Sequence, residues 1–429
     1  MQLQLRMTTR ICAFTATTAL LLVSAVGHAQ PAAYGPDIAD ELGNKAAKVN
    51  ASIDAVEQRV GALKESVTTA GAWMNPVLSA EYSNVPVDSF ALGDHAMSGV
   101  QLKLSQTFYW PGKAAAREEE ARARVRQEQL SLAEQKVQLR TSVMRAYYRL
   151  ALTRQLRSVT REHVKLVKDF LEIVRVKNEA GLVAQHELLR LHVLSDELED
   201  DLKNFDQDER SLTSTINAAL RRPIDTVVRT PKQTKVSEPN ASAAELIRRA
   251  REGRPLLKRY TAEAATHRAA ARRAARDGYP DITVWAGYRF RVPVGADAGT
   301  DFASVGLAMP LPIFYSQRSS SERRKNEKLA QEAMDNRAAA LDDIRGDLGR
   351  VVAIWKRSAQ KARTYRKDLT PAARLTLDAT FASYQVDRAD FASLFQAEVQ
   401  LLNFERATRM AEAAAAEARV DAESIVGSQ

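Results

Sequence analysis

Apolar positions recur at alternating spacings of three and four through Leu188, Leu191, Ser195, Leu198, Leu202, Phe205, Glu209, Leu212, Ile216 and Ala219. This is an a/d heptad seam with Ser195 and Glu209 as its polar interruptions, and it predicts helix. The surrounding stretch from Pro111 to Arg222 has no internal proline and, past Gly112 at its start, one glycine, Gly181. Two helical arms of roughly fifty residues each would extend about 75 Å at 1.5 Å per residue, far beyond the width of a small domain. A wall, stalk or scaffold is expected rather than a compact core. Residues 37 to 69 show helical spacing too, through Ile38, Leu42, Ala46, Val49, Ile53, Val56, Val60 and Leu63.

Between these helical stretches the period changes to two. Residues 77–83 and 99–110 alternate apolar and polar side chains, which predicts two strands with one apolar face, joined by a loop rich in Asn, Pro, Asp and Gly. Trp73, Tyr82, Phe108, Tyr109 and Trp110 gather near the strand ends. They suit the rim of a soluble sheet or a membrane-interface girdle equally well. The same order then returns: helix from about residue 241, strands near 281–290 and 303–314, and a second helical pair over 319–424, with Leu341, Ile344, Leu348, Val351 and Trp355 spaced three and four. Landmarks in the two halves lie roughly 204 to 206 residues apart, which marks a duplication. The chain thus divides into a leader (1–29), a first repeat (30–222, helical pair 112–222), a linker (223–240) and a second repeat (241–429).

Residues 1–29 read as a secretory signal peptide: Arg6 and Arg10, an apolar run over 11–26, then Gly27-His28-Ala29. The only cysteine, Cys12, falls in that segment, so the mature chain is expected to lack disulfides, thiolate metal sites and a cysteine nucleophile. The net charge of +9 invites a nucleic-acid reading. Acids are interleaved with the bases, however, as in Glu118/Arg122 and Glu120/Arg124 four apart, which favours a solvated helix face and no nucleic-acid partner. His186 and His192 are six apart and so do not share a face as a zinc-binding i, i+4 pair would. Gly112-Lys113 lacks the upstream glycine and following Ser or Thr of a phosphate-binding loop. No catalytic, metal or cofactor site is expected.

Four strands of membrane-crossing length cannot close on themselves, and open edges are not tolerated in lipid, so several copies must share one barrel. With its repeat, its strand pairs opening at Asn75-Pro76 and Tyr279-Pro280, and Gly181-Leu182-Val183 followed by Glu187-Leu188-Leu189, the sequence resembles the TolC family of outer-membrane efflux channels over its mature length. The second half departs by carrying Asp387 where that glycine would fall. The segment ending Pro111-Gly112-Lys113 looks most like the heavy-metal, CzcC-like branch.

The resemblance implies an α+β membrane protein of the outer membrane: a homotrimer whose 12-stranded β-barrel, four strands per chain, continues as a long α-helical barrel across the periplasm. It implies no enzyme activity and no cofactor. Its partners would be outer-membrane lipid, a periplasmic adaptor and an inner-membrane pump of the resistance-nodulation-division type, and its cargo metal cations. A type I secretion or drug-efflux component, and an exported coiled-coil scaffold, are the alternatives. The periplasmic turns are expected midway along each helical pair, at Ala151, Leu152, Thr153, Arg154 and Gln155 and at Arg357, Lys361 and Tyr365, with charge reversal at Arg154 or Arg357 impairing efflux but not assembly.

Overall fold

The computed structural model describes residues 36–427, so the signal-peptide assignment lies outside the described residues. The described residues are mostly helical with one four-stranded sheet. In order it runs α1 (Pro36–Val49), α2 (Ala51–Gly71), β1 (Val77–Ser83), β2 (Gly99–Phe108), α3 (Lys113–Glu179) and α4 (Gln185–Ala219). The second repeat runs α5 (Ala243–Gly253), α6 (Pro255–Asp277), β3 (Ile282–Arg291), β4 (Phe302–Ala308), α7 (Tyr315–Thr364), a π-helical turn (Tyr365–Leu369), α8 (Thr370–Gln385) and α9 (Phe391–Val426). The sheet is antiparallel throughout in the order β1-β2-β3-β4.

The helices form four columns. The 67 residues of α3 make one uninterrupted column of about 100 Å. The α4 column is continued by α2: the Asn50 side chain, which caps α2, also donates to the Ala219 carbonyl at the end of α4 (2.9 Å), and Arg221 pairs with Asp54 at 3.0 Å. In the second repeat α9 abuts α6, where Arg254 donates to the Ser424 carbonyl and to Glu134 (2.6 Å). The last column is α7, the π-helical turn and α8. The π turn has a physical cause in Pro371, which lacks an N–H and whose ring would clash with the carbonyl four residues back in a regular helix.

Three apolar clusters hold the columns together. One joins Val167, Phe170 and Val174 of α3, Leu191 and Leu198 of α4, Leu377 of α8 and Leu394 and Leu401 of α9. The second seats α1 on the middle of α3 around Tyr147, Tyr148 and Leu150, with Ile216. The third packs α5 and the start of α6 on Leu348 and Trp355 of α7 and on α9. Linker residues lie across this middle level, where the Ser237 carbonyl accepts from the Trp355 indole (2.5 Å).

Several expected boundaries shift. The single helix expected over 37–69 is two, because Asn50 leaves helical geometry to cap α2, and the helix from 241 breaks at Arg254 before Pro255. The strand expected to reach 314 ends at Ala308, since Pro310 and Pro312 have no N–H for the ladder. The expected helical turns at 151–155 and 357–365 are absent. Residues 151–155 lie inside α3, and the chain reverses instead at 180–184 and 386–390.

Candidate functional site

Register divides the sheet into a mainly apolar face and a mainly polar one. Leu78, Ala80 and Tyr82 stand opposite Leu104, Leu102 and Val100, and these continue across β3 to Phe290, Tyr288, Ala286, Val284 and Ile282 and across β4 to Leu307, Val305 and Ala303. Gln106 is the one polar side chain in that set. The opposite face carries Ser79, Glu81, Gln101, Lys103, Ser105, Thr107, Thr283, Trp285, Arg289 and Ser304, with Val77 and Phe302 as its large apolar members on the edge strands. Within β2 and β3 the polar face is the less exposed of the two, while Leu102, Leu104, Val284, Tyr288 and Phe290 stand open. A broad exposed apolar face on a strand sheet suits lipid, not water.

Aromatic rings bound this face at both ends. Trp73 stacks on Tyr109 and Trp110 on Tyr279 at the helix end, with centroids 6.0 and 5.5 Å apart. Tyr288 and Phe290 sit 4.7 Å apart toward the connecting loops. On the polar face Lys103 Nζ lies 4.5 Å over the Trp285 ring, and that ring covers Gly306, where a Cβ would fall 2.6 Å from it.

The junction of sheet and helix is held by the Gly112-Lys113 segment. Gly112 turns at φ +87, a conformation open to glycine, and the buried Lys113 reaches Asp281 across the repeat boundary at 2.8 Å. The same carboxylate accepts from the Trp110 backbone N–H (3.0 Å), so one acid ties the exit of β2 to the entry of β3.

At the far end of the helices both reversals use one device. Leu182 N–H donates to the Lys177 carbonyl and Gly181 N–H to that of Asn178 (2.9 Å each), around Gly181 at φ +74. Arg388 N–H donates to the Ser383 carbonyl (2.8 Å) and Asp387 N–H to that of Tyr384 (3.3 Å), around Asp387 at φ +59. These are paired Schellman turns. The feature marked by Gly181 therefore survives in the second repeat although glycine does not. Lys177 binds the two turns together, donating to Asp387 (2.5 Å) and to the Tyr384 carbonyl (2.7 Å). Leu182 and Val386 stand exposed at the two tips; Leu189 is exposed one turn back, and Leu188 packs inward against the apolar cluster.

The residues expected at the tips sit elsewhere. Ala151, Thr153 and Gln155 are buried and Leu152 half-buried in mid-α3. Arg154 donates to Glu209 (2.7 Å), the Val228 carbonyl (2.5 Å) and Thr230 (2.9 Å), and Gln155 to Thr234 (3.1 Å), so this level clasps the linker. Arg357 and Lys361 are exposed on α7, and Tyr365, under Lys361, meets Phe404 edge-on at 5.5 Å.

Sequence reasoning passed over His163. With both ring nitrogens protonated it donates to Glu398 (2.5 Å) and Glu405 (3.0 Å), linking the two repeats inside the wall. Burial opposes its charge, but the two carboxylates outweigh burial and raise its pKa from 6.5 to about 9. Glu405, despite burial, is held below the usual carboxylate range by His163 and Arg374. A lone histidine gives no local signal, because its partners lie more than two hundred residues away.

Residues 42–222 match the model of a family described as outer membrane efflux protein. No curated protein sequence matches the chain. Among solved structures, the outer-membrane channel OprN is 16% identical with a TM-score of 0.75, covering 92% of this chain and 90% of its own. The outer membrane protein VceC from Vibrio cholerae is 18% identical with a TM-score of 0.74, covering 91% and 96%. CusC, described for its transmembrane channel formation, is 13% identical with a TM-score of 0.73, covering 94% and 96%. At these identities the likeness speaks for the fold.

Proposed function

We propose, from the match of residues 42–222 to the outer membrane efflux protein model and from a fold that resembles such channels through both repeats, that the chain is the outer-membrane duct of a tripartite efflux system. Its role is conduction, not catalysis. The observation that carries the reading is the sheet: apolar on one face, polar on the other, and ending in unpaired edges at β1 and β4 among the described residues. Such edges are costly in lipid and are removed when β4 of one copy pairs with β1 of the next. Three copies give a 12-stranded barrel, wide enough to enclose a passage, with the helical columns continuing it through the periplasm.

The partners are a periplasmic adaptor and an inner-membrane pump. The two Schellman turns, with exposed Leu182 and Val386 at their tips, are the surface proposed to meet them, in place of the mid-helix residues around Arg154. The heavy-metal cargo implied by Gly112-Lys113 rests on resemblance alone. In the structure that segment is a strand-to-helix brace, and a duct must hold its cargo weakly enough to release it. The reading is tested by deleting the gene and growing cells on metal salts, detergents, dyes and anionic amphiphiles. Hypersensitivity to at least one class, restored by the wild-type gene, is expected; unchanged resistance across the panel contradicts it.

A further inference from the structure

The charges on the polar face of the sheet are not evenly matched. Each cross-strand row can be read from the register. The row of Glu81, Gln101, Arg289 and Phe302 holds one acid and one base. Arg291, in the row with Gly99, is paired with Asp297. The rows through Ser105 and Trp285 and through Thr107 and Thr283 carry no charge. The row of Ser79, Lys103, Gly287 and Ser304 carries a single charge, the Lys103 ammonium, and no carboxylate.

Among the described residues Lys103 makes no ion pair; its contact is the face of Trp285 at 4.5 Å. An aromatic face holds a cation in place without neutralising it. Trp285 is itself fixed by its fit over Gly306. The charge is thus positioned in mid-strand on the less exposed face, away from the loops and the helix junction.

Resting on the closed-barrel reading above, we propose that Lys103 is a specificity-determining residue of the duct: repeated by the copies that close the barrel, it forms a basic ring that favours anionic solutes at the outlet over cations. Rings of Lys or Arg select anions by the same electrostatics that lets acidic rings select cations. In a passage as wide as a 12-stranded barrel the effect is screened, with a Debye length of about 10 Å at 0.1 M salt and about 30 Å at 0.01 M. Selectivity should therefore strengthen as salt falls. The cargo class this favours is organic anions and anionic amphiphiles. A metal would pass more readily as an anionic complex than as a free cation.

The test is the reversal potential of the full-length protein in planar bilayers under a dilute KCl gradient. Wild type and Lys103→Arg are expected to reverse on the chloride side, Lys103→Gln nearer zero, and Lys103→Glu on the potassium side, with the spread narrowing at high salt. A cation-selective wild type, or a Lys103→Glu channel with the wild-type reversal potential, overturns the proposal while leaving a channel. Absence of conductance in all variants overturns the channel reading and this inference with it.

Discussion

His163 shows how a single buried group can make the stability of the wall depend on pH. Its pKa in the fold, about 9, lies above its ordinary 6.5, so the stabilisation from charging it is complete below pH 6.5 and is lost as pH rises through 9. The upper bound is about 3 kcal/mol for such a difference. Thermal unfolding in detergent should show the wild type losing stability between pH 6.5 and 9 and His163→Gln lacking that slope; parallel profiles would refute it. Asp281 is a second such residue. Its loss strands the Lys113 ammonium at the sheet–helix junction, where breaking a buried pair costs about 3 to 5 kcal/mol and the partial exposure of Asp281 reduces this. Asp281→Ala is expected to lower the melting temperature clearly, and Lys113→Met with Asp281→Ala to recover part of the loss.

At the scale of elements, the turn at 180–184 and the clasp at 151–155 behave differently. Arg154→Glu places an acid beside Glu209 in place of an ion pair and removes the two hydrogen bonds that hold the linker, so it should reduce the yield of assembled protein. Leu182→Asp and Val386→Asp change exposed tips, and efflux should fall in cell-survival assays while the melting temperature stays within about 1 kcal/mol equivalent of wild type. Normal efflux in both would detach the tips from partner docking. The helical seam from Leu188 to Ala219 and the alternation in β1 to β4 were legible because they are local periodicities. The turn was not placed correctly, because dividing each helical pair at its midpoint assumes equal arms. Here α3 has 67 residues and α4 has 35, and α2, with 21, makes up most of the difference by stacking on the end of α4. That balance belongs to the columns, which are tertiary. Gly181 did carry a cue for its turn; Asp387 did not stand out, although aspartate tolerates positive φ and Lys177 contacts it there.

For the molecule as a whole, the duplicated order of elements explains why one chain supplies two strand pairs and four helical columns, and why it ends with two open sheet edges. An apolar face this broad and edges this regular are tolerated only if other copies and lipid cover them. The organic-anion preference argued from Lys103, the docking role of the tips and the conduction role all depend on that closure. Closure is read most directly from the mass of the protein extracted from outer membranes in mild detergent, measured by native mass spectrometry. The account predicts a complex of three copies that stays intact until the detergent is made denaturing; a monomer, or a protein released without detergent, would contradict it.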